Sequence, residues 1–182
     1  LGFWVEALGR WSLGVVRVAA DASFVMADIP GLIVGAAEGA GLGAQFLRHL
    51  SRTRVLLHLV DVMPEDGGDP IDNALAIETE LAEYSESLTE RPIWLALSKV
   101  DQLEQEALDQ LLEDFAEMFP DRPIYAISAL GDIGLEDLVR DLMAFLTEEY
   151  LLARENENHA EQLEELEARI TADVWAHSER MR

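Results

Sequence analysis

The chain has 182 residues, 49% of them apolar, with 36 acidic against 13 basic side chains and a formal net charge of −23. Such a field repels nucleic-acid phosphates, so no direct DNA binding is expected; only Arg48, His49, Arg52 and Arg54 make a small basic cluster. The chain has no cysteine, hence no disulfide framework or thiol catalysis, and no apolar run long enough to span a membrane.

Leu1 to Trp11 match no recognised pattern and lack the basic region and cleavage site of a signal peptide, so a cytoplasmic location is expected; a monomer is expected as well. Leu13 to Val18 and Phe24 to Asp28 read as two strands joined by a turn around Asp21. The Gly/Ala-rich stretch Leu32 to Gly43 reads as a loop and Gln45 to Ser51 as a short helix. The continuous apolar run Val55 to Asp61 predicts a strand covered on both faces. Asp69-Pro70 starts a helix whose apolar positions Ile71, Leu75, Ile77 and Leu81 continue to about Leu88.

Ile93 to Leu97 is a second buried strand, and Leu103 to Phe119 an amphipathic helix with Leu108, Leu111, Leu112 and Phe115 inward. Ile124 to Ile127 is a strand and Leu135 to Leu146 a helix. This alternation predicts an α/β sandwich with a mainly parallel sheet and helices on both faces. From Thr147 glutamates dominate, while Leu163, Leu166, Ile170 and Val174 keep helical spacing, which predicts an exposed acidic helix with one apolar stripe. The organisation expected is therefore an unassigned segment over 1–11, an α/β domain over 12–146 and an acidic helical tail over 147–182.

In parallel sheets, ligands sit beyond the carboxyl ends of the strands. Asp28-Ile29-Pro30-Gly31 ends one predicted strand, a place where an aspartate and a glycine amide hold a metal and a terminal phosphate. Ser98-Lys99-Val100-Asp101 follows another. The Asp101 carboxylate suits the ring N–H and exocyclic amine of guanine, and adenine would leave it unpaired. The Lys99 stem suits the base plane. Ser128-Ala129-Leu130 follows the last strand, where a backbone amide suits the guanine carbonyl oxygen. Taken singly, these are also ordinary strand-end turns, a surface ion pair and a helix cap.

The run Asp28 to Ile33, the segment Gly35 to Gly43, Phe46 to Leu50, Val55 to Asp61 and Asp66 to Pro70 together resemble the Obg family of bacterial GTPases. The resemblance spans about Ser12 to Leu146. It implies a P-loop-type GTPase sandwich that binds GTP or GDP with Mg2+, hydrolyses GTP slowly and works with the large ribosomal subunit during its assembly. It also implies that Asp28 holds magnesium through a water and that the Gly31 amide senses the γ-phosphate. Ser98, Lys99 and Asp101 would read guanine, and Ser128 to Leu130 would close over the base. Leu32 stands where many GTPases have a water-orienting glutamine, as in the family, so slow intrinsic hydrolysis is implied and no catalytic side chain is assigned.

The sequence departs from the family pattern in three respects. It contains no GxxxxGK[ST] phosphate loop, which with the strand before it precedes this segment in the family. It lacks the threonines of the first switch, and it has Ser98 where asparagine is usual and Val34 where glutamate is common. A truncated copy with impaired hydrolysis is the expectation. The alternative is a non-catalytic interaction module that keeps the guanine-reading end and the acidic helix but acts by binding, for example to ribosomal proteins, or a defunct fragment.

Overall fold

The computed structural model describes residues 13–27 and 51–180. The expected segment 1–11, Asp28 to Gly31, the loop over 32–43 and the short helix from Gln45 lie outside the described residues. Strands β1 (Leu13–Arg17) and β2 (Ser23–Ala27) form an antiparallel hairpin in which Val16 faces Phe24 and Val15 faces Val25. Its turn is closed by the Ala22 carbonyl, which accepts the Val18 and Ala19 amides. Strand alternation then turns Val16 inward and leaves Val15 and Val25 exposed.

Strands β3 (Leu56–Asp61), β4 (Ile93–Ser98) and β5 (Ile124–Ala126) form a parallel sheet in that order. Helix α1 (Pro70–Tyr84) connects β3 to β4, and α2 (Gln105–Met118) connects β4 to β5. Helices α3 (Leu135–Glu155) and α4 (Glu157–Arg180) follow. The start of α1 is local chemistry: the Asp69 carboxylate accepts the amides of Ile71 at 2.8 Å and Asp72 at 3.1 Å, and Pro70 occupies the first turn. Its end differs from expectation. The chain leaves the helix at Ser85, which is extended, and the Ser85 hydroxyl accepts the Leu88 amide to open a 3-10 turn over Glu86–Glu90. A serine competes for backbone donors in this way, and that turn buries Leu88.

Helices cover both faces of the sheet. On one face Leu95 and Leu97 of β4 pack with Val60, Ala74, Val100, Phe115 and Phe119. On the other, Trp94 and Ala96 pack with Ile127, Leu138 and Leu142. Trp94 stacks on Tyr125 and meets the edge of Phe145, each at 5.6 Å between centroids, an arrangement the ring quadrupoles favour. Phe24 of the hairpin joins this second cluster. One strand expected to be doubly covered is not: Leu59 of β3 is 61% exposed. Among the described residues β3 pairs only with β4, so its far edge receives no neighbour whose helix would cover Leu59.

Helix α3 runs through Leu146 and Thr147, where the composition changes, and continues to Glu155. The acidic helix also departs from its expected exposure. Ile170 and Val174 of α4 are 0% exposed and pack with Leu56, Leu81, Leu88 and Ile93 at the amino ends of β3 and β4. Polar contacts surround that seam. Asp173 accepts the Ser85 hydroxyl at 3.1 Å and the Ser87 amide at 3.0 Å, Arg54 pairs with Glu167 at 2.7 Å, and Arg169 grips both oxygens of Glu90. The glutamates occupy the wet side of a helix whose apolar stripe closes the core.

Candidate functional site

The parallel register brings the strand ends together. Asp61 lies opposite Ser98, and Leu97 opposite Ala126, so the residues that follow each strand emerge at one edge of the sheet. Ser98, Lys99, Val100, Asp101, Ser128, Ala129 and Leu130 all lie there. Asp28, Ile29, Pro30 and Gly31 lie outside the described residues.

Each position has a distinct setting. The Ser98 hydroxyl donates to the Val60 carbonyl at 3.0 Å and so points into the sheet rather than outward. Lys99 has a positive φ of 65°, a left-handed conformation that costs a side-chain-bearing residue about 1 kcal/mol. That twist turns the chain into the short 3-10 helix Val100–Gln102. Val100 is buried beside Phe115, and its amide donates to the Ile127 carbonyl at 3.3 Å. This stitches the turn after β4 to the turn after β5. Asp101 follows on the exposed side.

Ser128 is 1% exposed, and its hydroxyl links the two turns. It donates to Asp101 Oδ1 and accepts the Gly131 amide at 2.8 Å. Ser128 and Ile133 exchange backbone hydrogen bonds of 3.0 Å, which closes the loop between them and leaves Leu130 90% exposed at its tip. Gly134 ends the loop at φ 65°, and a Cβ there would lie 2.1 Å from the Ala126 carbonyl oxygen. The result is a fixed carboxylate with one oxygen held by a hydroxyl, an open side, and an apolar loop tip beside it. A carboxylate so placed has acceptor capacity left for N–H donors from outside.

Sequence reasoning missed Asp61. Its Oδ2 takes the Lys99 ammonium at 2.5 Å, while its Oδ1 accepts the Met63 amide at 2.9 Å. Burial acts to raise the Asp61 pKa, but the hydrogen bonds from Lys99 and Met63 and the Lys99 charge outweigh it, and the net shift is downward. The same hydrogen bond raises the pKa of Lys99. The available signal was positional: Val55–Asp61 and Ile93–Ser98 end in register once paired in parallel. Among the described residues no three His, Asp or Glu side chains converge to hold a metal ion. No helix among them is long and apolar enough to cross a membrane.

Residues 10–99 match the family described as a 50S ribosome-binding GTPase. The match supports a GTPase family for this chain. It includes Asp28 to Gly31, Asp61, Ser98 and Lys99, but stops before Asp101 and Ser128. The fold is similar to a crystal structure of a Plasmodium falciparum chain assigned as nucleolar GTP-binding protein 1, with a TM-score of 0.53 and 16% sequence identity. That alignment covers 84% of this chain and 79% of the other. At this identity the likeness speaks for the fold, a P-loop GTPase-like α/β sandwich.

Proposed function

We propose that this chain is a guanine-nucleotide-binding GTPase domain of the Obg type that serves assembly of the large ribosomal subunit. The observation that carries the reading is Asp101: an exposed carboxylate anchored by the buried Ser128 hydroxyl, next to Lys99, at the carboxyl ends of parallel strands. The GTPase family match over residues 10–99 supports it independently. Asp101 would take the ring N–H and the amine of guanine, Lys99 would lie along the base, and the loop Ser128 to Leu130 would cover its edge. Magnesium would be held by Asp28, with the Gly31 amide at the γ-phosphate; both assignments rest on the family resemblance. The contact with the large ribosomal subunit has the same basis, together with the description of the matching family.

These 182 residues contain no GxxxxGK[ST] cradle for the phosphates. The polypeptide is therefore expected to bind through the base and to hydrolyse GTP slowly or not at all. Titration of fluorescent GDP and ADP, with and without magnesium, tests the reading. Guanine-selective binding that is lost in Asp101→Asn supports it. Equal affinity for both bases, or none for either, removes it in favour of a protein-binding module.

A further inference from the structure

Lys99 is held at both ends. Its backbone is in the left-handed region, which a lysine occupies only under constraint, and its ammonium reaches across to the neighbouring strand end. The residue it reaches, Asp61, is itself immobilised. One carboxylate oxygen is fixed by the Met63 amide at 2.9 Å, so only the other faces Lys99. The backbone beneath is equally tied: the Val62 amide donates to the Ser98 carbonyl at 3.2 Å, and the Ser98 hydroxyl donates to the Val60 carbonyl. A pair this exposed adds little to folding. What the arrangement does is give a long, flexible side chain one direction.

We propose that Asp61 is the positioning residue of the guanine site: it anchors the Lys99 ammonium so that the lysine stem forms the floor on which the base lies, next to the Asp101 carboxylate. This rests on the guanine-binding reading of Asp101. Asp61 contacts no ligand in this scheme. It acts by removing rotamer freedom from Lys99 before the nucleotide arrives, so that less ordering is required on binding. Without that anchor, the Lys99 side chain sweeps the same opening that the base must enter.

The test is a double-mutant cycle on the full chain with fluorescent GDP. Asp61→Asn keeps an acceptor for the Met63 amide and removes the charge that Lys99 seeks. Its expected effect is a loss of about three- to fivefold in GDP affinity, with melting unchanged within about 2 °C, since an exposed ion pair contributes little to stability. In a Lys99→Met background the same Asp61 change should have no further effect on affinity. Asp61→Glu, which retains the charge, should recover most of the loss; a merely structural role would not follow charge in this way. If the wild-type chain binds GDP with guanine selectivity and Asp61→Asn binds equally well, the positioning role is overturned while the guanine site stands. Equal losses with and without Lys99 also overturn it. If the wild-type chain shows no guanine-selective binding, both readings fall together.

Discussion

Ser128 Oγ donates a hydrogen bond to Asp101 Oδ1 across 27 residues of sequence, joining the turn after β4 to the turn after β5. The serine is buried and the aspartate exposed, so the bond projects a rigid carboxylate from the core to the surface.

Ser128→Ala removes that anchor and also leaves the Gly131 amide without its acceptor. The cost of a lost hydrogen bond to a charged group is about 1.5–3 kcal/mol of stability, so the melting temperature should fall, and GDP binding should weaken because the Asp101 carboxylate is no longer held in one orientation. Asp101→Asn should go further and change selectivity. Its amide presents a donor toward the guanine amine, but suits xanthine, which carries a carbonyl there. Competition between GDP and XDP, followed by fluorescence, checks both. An Asp101→Asn chain that still prefers GDP would contradict the assigned pairing.

Gly134→Ala should damage the loop that carries Ser128. The added Cβ meets the Ala126 carbonyl oxygen at 2.1 Å, in a backbone at φ 65°. The left-handed backbone alone costs about 1 kcal/mol, and relieving the clash requires β5 or the loop to move. A lower melting temperature, together with weakened GDP binding, is expected in thermal denaturation and titration.

Helix α4 should be part of the folding unit. Ile170→Ala opens a cavity among Leu56, Leu81, Leu88 and Ile93 and should destabilise the chain by about 2–5 kcal/mol in urea unfolding. Glu164→Gln, on the exposed side of the same helix, should change stability by less than about 0.5 kcal/mol. A melting curve for Ile170→Ala that matches wild type would mean that α4 is an independent appendage.

His58 should make folding sensitive to mild acid. Burial, with the neighbouring Arg122 charge second, pushes its pKa down from 6.5 to about 4. The unfolded chain therefore takes up a proton at higher pH than the folded chain. The stabilisation is complete above the unfolded value of 6.5 and is lost as pH falls toward about 4. At pH 5 the loss is about 2 kcal/mol by linkage. Asp61 and Asp173 are both shifted downward, so their contributions fade only below the ordinary carboxylate value of 3.8, and the two regions are separable. His58→Leu should flatten the stability profile between pH 6.5 and 4 in urea titrations.

Much of the architecture was legible because its causes are local. The apolar runs at Val55 and Ile93 declare strands, Asp69-Pro70 declares a helix start, and the motifs Ser98 to Asp101 and Ser128 to Leu130 follow strand ends that the fold brings side by side. Helix ends were read less well. Ser85 stops α1 by capping the next turn, and a serine inside an otherwise helical pattern has no single local meaning. Leu59 looked like core because an apolar run alone does not state which neighbours arrive to cover it.

By itself, then, the sequence of this protein determined the alternation of strands and helices, the acidic surface and the chemical types gathered at the strand ends, since these follow from periodicity, turn chemistry and charge count. Only the tertiary structure decided that Asp61 holds Lys99, that Ser128 holds Asp101 and that Ile170 and Val174 close the core under α4. Those pairings depend on strand order and register, which arise when distant segments pack against one another. A side chain's residue type sets what it is able to bond; its partner is set by which strand end lies alongside.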